Sequence, residues 1–216
     1  LGSLQFDPLD APGARNHDLV LHARIEGYQR GWCEQWLYGP ERRLFEAYNK
    51  SLNILPVDEL PWHRVAWLRE HAPRSTALVK KHRALVDSML ARLAAEGPLS
   101  PDAFDRTKKT LSGWGTQTTL ARRLLEALFV IGRVGIVRRA GGRRVYDRIE
   151  RLLPEALLAR EVDVEEGHLH RLLSRHRGVG LMGEGGASEL VLGTGKLADR
   201  RRRTRVLVER GALVPV

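Results

Sequence analysis

Cysteine is almost absent from this chain, and several other shortages narrow its role before any motif is considered. Cys33 stands alone, so no internal disulfide can form, and nothing else in the sequence calls for an oxidising compartment. No apolar run approaches the roughly 18 to 20 residues that span a bilayer, and no signal-peptide pattern opens the chain. A cytoplasmic, nucleoid-associated protein with no membrane contact is expected. Acidic residues are in deficit, 26 Asp and Glu against 36 Lys and Arg, which leaves a formal net charge of +10. Such an excess concentrates polyanions near the surface and speeds encounter with them, so nucleic acid heads the list of partners. An initiating methionine is missing too: the first residue is Leu1, and the methionines are Met89 and Met182. With the apolar "GALVPV" at the other end, both ends are expected to be cut.

The usual site signatures also fail. "GTGK" at Gly193 to Lys196 has the look of a phosphate loop, but Leu190 stands where its first glycine belongs, and Leu197 replaces the magnesium-binding Ser or Thr. His168 and His170 lie two apart on a predicted helix and so point to different faces, without a cysteine nearby to complete a zinc site; surface histidines are expected. No Gly-x-Ser-x-Gly supports a serine triad. Neither a metal nor a cofactor is expected.

What is present is a chain of 216 residues, 43% apolar, enough for a packed core and more than one small domain. A 3.6-residue apolar period dominates. It predicts helices over roughly 14 to 27, over "WCEQWLYG", over "VDELPWHRVAWLREHA" and over "STALVKKHRALVDSMLARLAAEG", while "RRLFEAYNKSLNILP" reads as extended or irregular up to Pro56. Further on, Ser100 as N-cap and Pro101 at the first helical position predict a short helix. "GTQTTLARRLLEALFVIG" gives a second, with Leu120, Leu124, Leu128 and Ile131 on one face. "RVGIVRRAGGRRVYDR" is then two β-prone runs turned at Gly141 and Gly142. Helix, helix, Gly-turned hairpin is the winged helix-turn-helix pattern. Apolar helix, glycine stop and apolar run recur as Leu207, Gly211, Leu213 after Leu128, Gly132, Val134, and "LGSLQF" fits the same slot. The expected fold is mainly α with small β-hairpins, an α+β chain of tandem winged-helix units. The units expected are 1–97, 98–155 and 156–216, the first and last incomplete.

From Arg133 to Arg151 there are seven arginines, among them the adjacent pairs Arg138, Arg139 and Arg143, Arg144 on the predicted hairpin. Such a wing can follow a phosphate backbone; a solvated charged hairpin that avoids edge pairing is the alternative. "DRRRRTR", Asp199 to Arg205, makes a second basic stripe, or a solvated helix face.

In "LQFDPLD", the spacing of two puts Gln5 and Asp7 on one face of a predicted strand and Phe6 on the other, so an amide and a carboxylate can hold one water between them. A plain amphipathic edge strand has the same pattern. Three blocks in order, "LGSLQFDPLDAPGARNHDLVLHARI", "RRLFEAYNKSLNILP" and "GRVGIVRRAGGRRVYDRIERLLP", make nearly the whole chain resemble the winged-helix DNA glycosylases of the AlkZ and YcaQ-like family. These are bacterial repair proteins that excise alkylated bases and unhook interstrand crosslinks. Their catalytic pair is Gln, an apolar residue, then Gln or Asp, matched here by Gln5, Phe6 and Asp7. The helix that follows, AR-x-H-x-LVL-x-x-R, is matched by Ala14, Arg15, His17, Leu19 to Leu21 and Arg24. The chain departs from the family at Asp18, where a second histidine is frequent, and at Lys50, where a histidine follows "FEAY".

The resemblance implies a monofunctional DNA glycosylase with Gln5 and Asp7 as catalytic residues. Arg15, His17, Lys50, Arg138, Arg139, Arg143 and Arg144 are the expected DNA-binding set. The implied partner is double-stranded DNA with alkylated or crosslinked bases, with no obligate protein partner. A non-catalytic winged-helix transcriptional regulator would explain charge and hairpin without using Gln5 and Asp7.

Overall fold

Leu124 and Leu128, on the apolar face expected of their helix, are fully buried, as is Leu125, and all three belong to the largest hydrophobic core. The computed structural model describes residues 2–7, 13–48, 51–69, 72–112, 115–140, 142–187, 190–191 and 193–216, with the backbone alone described at 66–69 and 72. The N-terminal part holds a strand Leu4–Gln5 (β1), helices Asn16–His22 (α1) and Trp32–Tyr38 (α2), and strands Leu44–Tyr48 (β2) and Leu52–Pro56 (β3). "RRLFEAYNKSLNILP" is thus a pair of strands. The sheet is antiparallel in the order β1-β3-β2, with Leu4 opposite Ile54, Gln5 opposite Asn53, and Glu46 opposite Ile54 on the other side. Its central strand β3 is buried on both faces. Phe6, Leu52 and Ile54 face the large core, while Phe45, Ala47 and Leu55 pack on Leu60, Ile149 and Leu153.

Three helices follow: Leu60–Arg69 (α3), Ala72–Lys81 (α4) and Arg83–Glu96 (α5). The single helix expected from "STALVKK" to Gly97 is divided at His82, whose φ of −114° and ψ of 33° leave the helical region. Next come strands Lys109–Leu111 (β4) and Gln117–Thr119 (β5), helix Leu120–Val130 (α6), and the long hairpin Val134–Ala140 (β6) and Arg143–Arg148 (β7). The helix expected from Ser100 is a single 3₁₀ turn, Pro101–Ala103; Ser100 makes no side-chain cap, and the chain goes on into the β4–β5 hairpin. Thr119 caps α6 instead, accepting from the Arg122 N–H at 3.2 Å. Leu99 pairs with Tyr146, joining the end of α5 to the long hairpin.

The last helices are Glu155–Ala159 (α7), Val164–Val179 (α8) and Leu197–Glu209 (α9). The recurring glycine stop is one motif used twice. At α6 the Gly132 N–H bonds the Phe129 carbonyl at 3.1 Å and the Arg133 N–H bonds that of Leu128 at 2.9 Å. At α9 the Gly211 N–H bonds Val208 and the Ala212 N–H bonds Leu207, both at 2.8 Å. Both glycines have left-handed φ, +71° and +67°, as this closure demands. The likeness ends there, since β6 follows Gly132 whereas 212–216 forms no strand. The fold is α+β with small antiparallel sheets.

Candidate active site and nucleic-acid interface

Among the described strands β1 is an edge of its sheet. Gln5 is exposed, Phe6 is buried, and Asp7 is half-buried just past the ladder, whose last bond runs from the Phe6 N–H to the Leu52 carbonyl at 2.9 Å. Gln5 stands opposite Asn53, whose amide donates to the Ser51 carbonyl at 2.8 Å, and the Asn16 amide reaches the Gln5 carbonyl at 3.4 Å. The chain therefore carries Gln5 and Asp7 towards the β2–β3 turn, on an edge held by one buried ring.

That ring is firmly placed. His17 from α1 stacks on Phe6 with centroids 5.2 Å apart and planes 19° from parallel. The Arg139 guanidinium from β6 lies 4.1 Å from the Phe6 centroid. Arg139 in turn donates to both oxygens of Glu46 on β2, Nε at 3.1 Å and Nη2 at 2.5 Å, and Glu46 also accepts from the Tyr38 hydroxyl. This ion pair is almost wholly buried, with side chains 4% and 1% exposed. His17 has no exposed surface, and burial lowers its pKa, against the nearby Asp18 carboxylate that acts to raise it. A neutral imidazole beside an arginine-bearing ring follows. Asp18 accepts from the Tyr28 hydroxyl at 2.6 Å, a structural use of the position where the resembled family often has histidine.

A polar cleft of about 520 Å³ opens between the β4–β5 hairpin, the start of α6 and the long hairpin. Arg106, Lys109, Arg122, Arg139, Arg143 and Arg144 line it, against Asp102 and Glu126. A second groove of about 560 Å³ shares Gln117, Thr118, Arg122, Glu126 and Arg144 with it and extends past Arg74 and Arg123 to Tyr48 at the end of β2. The two make one continuous, mainly cationic surface. Arg144 sits at their junction, close to Tyr48 and Tyr146, with its guanidinium 5.8 Å from the Phe129 ring centroid.

The described members of the expected DNA-binding set occupy different surroundings. Arg138 and Arg143 are exposed, Arg143 within 3.0 Å of Asp102, and Arg144 is half-buried in the cleft wall. The side chains of His17 and Arg139 are buried, His17 in the Phe6 stack and Arg139 in the ion pair with Glu46, and Arg139 also lines the cleft. Arg15 is bonded to Glu34. Lys50 lies outside the described residues. Arg74, Arg106, Lys109, Arg122 and Arg123 were not singled out by sequence reasoning, although "KK" and "RR" at 108–109 and 122–123 are visible as basic pairs.

Part of the second basic stripe is tied to neighbouring segments, while Arg201, Arg202 and Arg205 are exposed. Arg202 and Arg203 hold Glu165 at 2.7 and 2.8 Å, Arg210 holds Glu166 at 2.7 Å, and Arg200 donates to the Gly195 and Gly185 carbonyls. In "GTGK", Thr194 is buried and bonded to the Val191 carbonyl, Arg203 bonds the Thr194 carbonyl, and Lys196 is the N-cap residue of α9; the segment is a turn. His170, expected at the surface, is half-buried: it stacks on Trp62 at 4.4 Å and bonds Glu59 at 2.8 Å. Among the described residues no group of three His, Cys, Asp or Glu is placed to hold a metal ion, and no helix is long and apolar enough to cross a membrane.

Compared with known proteins, residues 1–216 match the family described as DNA glycosylase AlkZ-like. No solved structure matches the chain.

Proposed function

The chain belongs to the AlkZ-like DNA glycosylase family, hence to the DNA repair glycosylases, and from that membership we propose that Gln5 and Asp7 hydrolyse the N-glycosidic bond of an alkylated base. The observation that supports this reading is the edge strand itself. Gln5 and Asp7 flank one buried ring, Gln5 exposed and Asp7 partly so.

Breaking the C1′–N bond sends the bonding pair to the departing base and leaves positive charge on the deoxyribose. The Asp7 carboxylate stabilises that oxocarbenium-like state and accepts a proton from the water that adds to C1′; Gln5 orients the water. An N-alkylated purine is already cationic and needs no strong general acid to leave. The product is an abasic site, since no amine lies within the motif to form a Schiff base. Applied to one nucleotide of an interstrand crosslink, the same step unhooks it. The cationic surface seats the flanking backbone, with the target nucleotide extruded or distorted towards β1.

Asp7→Asn tests this on duplexes carrying an N7-alkylguanine or a crosslink. Released base is expected to fall about 100-fold or more while the duplex Kd stays within about twofold; release at the parental rate would refute the assignment. Trapping with borohydride should yield no covalent adduct, and an adduct that disappears in Lys50→Ala would make the enzyme bifunctional.

A further inference from the structure

The long hairpin is not regular, and its irregularity aims one side chain at the proposed catalytic strand. In an unbroken strand Ile136 and Arg138 would share a face. The ladder instead slips between them: Ile136 pairs with Tyr146 and Arg138 with Val145, leaving Val137 as the extra residue of a bulge. Ile136 is therefore buried, Arg138 exposed, and Arg139 turned inward. Arg42 serves the carbonyls at the slip, donating to Ile136 at 3.0 Å and more weakly to Val137 at 3.5 Å. The turned residue meets Phe6 at 4.1 Å and is fixed by both oxygens of Glu46.

Resting on the reading that Gln5 and Asp7 carry the chemistry, the geometry points to Arg139 as a positioning residue that couples the hairpin to the catalytic strand. Phe6 lies between Gln5 and Asp7 in the chain, so the ring's seat sets where both side chains stand. A cation over the ring face, locked by a bidentate pair, fixes that seat more closely than apolar packing does. The same strand carries Arg138 at the surface and pairs with the strand bearing Arg143 and Arg144. Grip on the backbone and placement of the water are thereby linked through one strand.

Single-turnover base release and duplex affinity separate this role from direct binding of a phosphate. Arg139→Met keeps the stem and removes the fork. It is expected to lower the release rate at saturating enzyme roughly 10- to 100-fold, the scale of a small misplacement, with Kd within about twofold and its salt dependence unchanged. Arg139→Lys should recover part of the rate. Glu46→Gln should give a similar loss, and the double variant should lose less than the sum of the singles. An unchanged rate, additive losses, or a weaker Kd with a salt slope shallower by about 0.9 would each overturn the inference. If Arg139→Met does not melt cooperatively, Arg139→Lys decides, because a parental rate there leaves the bidentate fork without a role. Asp7→Asn is run alongside. If it retains full activity the underlying reading fails; if it is inactive while Arg139→Met is normal, the positioning role alone fails.

Discussion

The family resemblance implies DNA contact for His17, and in the structure its ring is a buried plate stacked on Phe6, the residue between Gln5 and Asp7 in the chain. Its ring is buried against Phe6, and burial lowers its pKa from 6.5. The unfolded chain therefore binds a proton that the folded chain resists. The stability this group supports is fully present above about pH 6.5 and is lost as pH falls from there towards the depressed folded value. Burial lowers His176 in the same direction. The melting temperature should drop between about pH 7.5 and about pH 5.5, and His17→Leu, which cannot titrate, should flatten part of that drop. An equal slope in the variant would mean that the ring does not titrate on unfolding. Cys33 is the complementary case. Burial first, then the Asp18 carboxylate, pushes its thiol up to about 12, so it should not react with a thiol reagent in the native protein at about pH 8 and should react once on denaturation.

At the scale of elements, the hairpins and the glycine stops make the measurable differences. The cationic surface is assembled from two hairpins and one helix start, so the charges of the proposed interface act as a set. Arg122→Glu and Arg143→Glu should each weaken duplex binding without regard to sequence and make its salt dependence shallower, by about 0.9 in log–log slope for each phosphate no longer neutralised. The release rate at saturating enzyme should hold, and unaltered binding at low salt would move the interface elsewhere. Gly132 tests the other device. An alanine there must adopt the left-handed backbone that closes α6, at a cost of roughly 1–2 kcal/mol, read as a lower denaturation midpoint with an unchanged m-value.

Across the whole molecule, α8 and α9 are joined by charge more than by apolar area. The apolar seam between them is small, Leu169, Leu172 and Leu207 with a few partners, while Glu165 is shared by Arg202 and Arg203. The Arg203 side chain is 8% exposed and that of Glu165 37%. Arg203→Met should cost roughly 1–3 kcal/mol, less than breaking a fully buried pair, because water still reaches the carboxylate. Arginine holds the Glu165 pKa down to about 2. Its contribution is thus present above the ordinary 4.5 and lost as pH falls towards about 2. An acid titration of Glu165→Gln should lack that part of the loss.

Sequence alone determined the helical period, the long hairpin, the glycine stops and the edge pattern of Gln5, Phe6 and Asp7, because each is a local matter of spacing or of one residue's backbone freedom. The family resemblance was legible there as well. Local pattern could not say which arginines face water. Arg138, Arg139, Arg143 and Arg144 read alike in sequence, and a one-residue bulge sends Arg139 inward to Glu46 and Phe6 while its neighbour stays out. The arginines of α9 likewise found glutamates of α8 that lie far from them along the chain. A long cation's role is set by whichever carboxylate, ring or phosphate the folded chain brings within about 4 Å, and only the tertiary structure makes that choice.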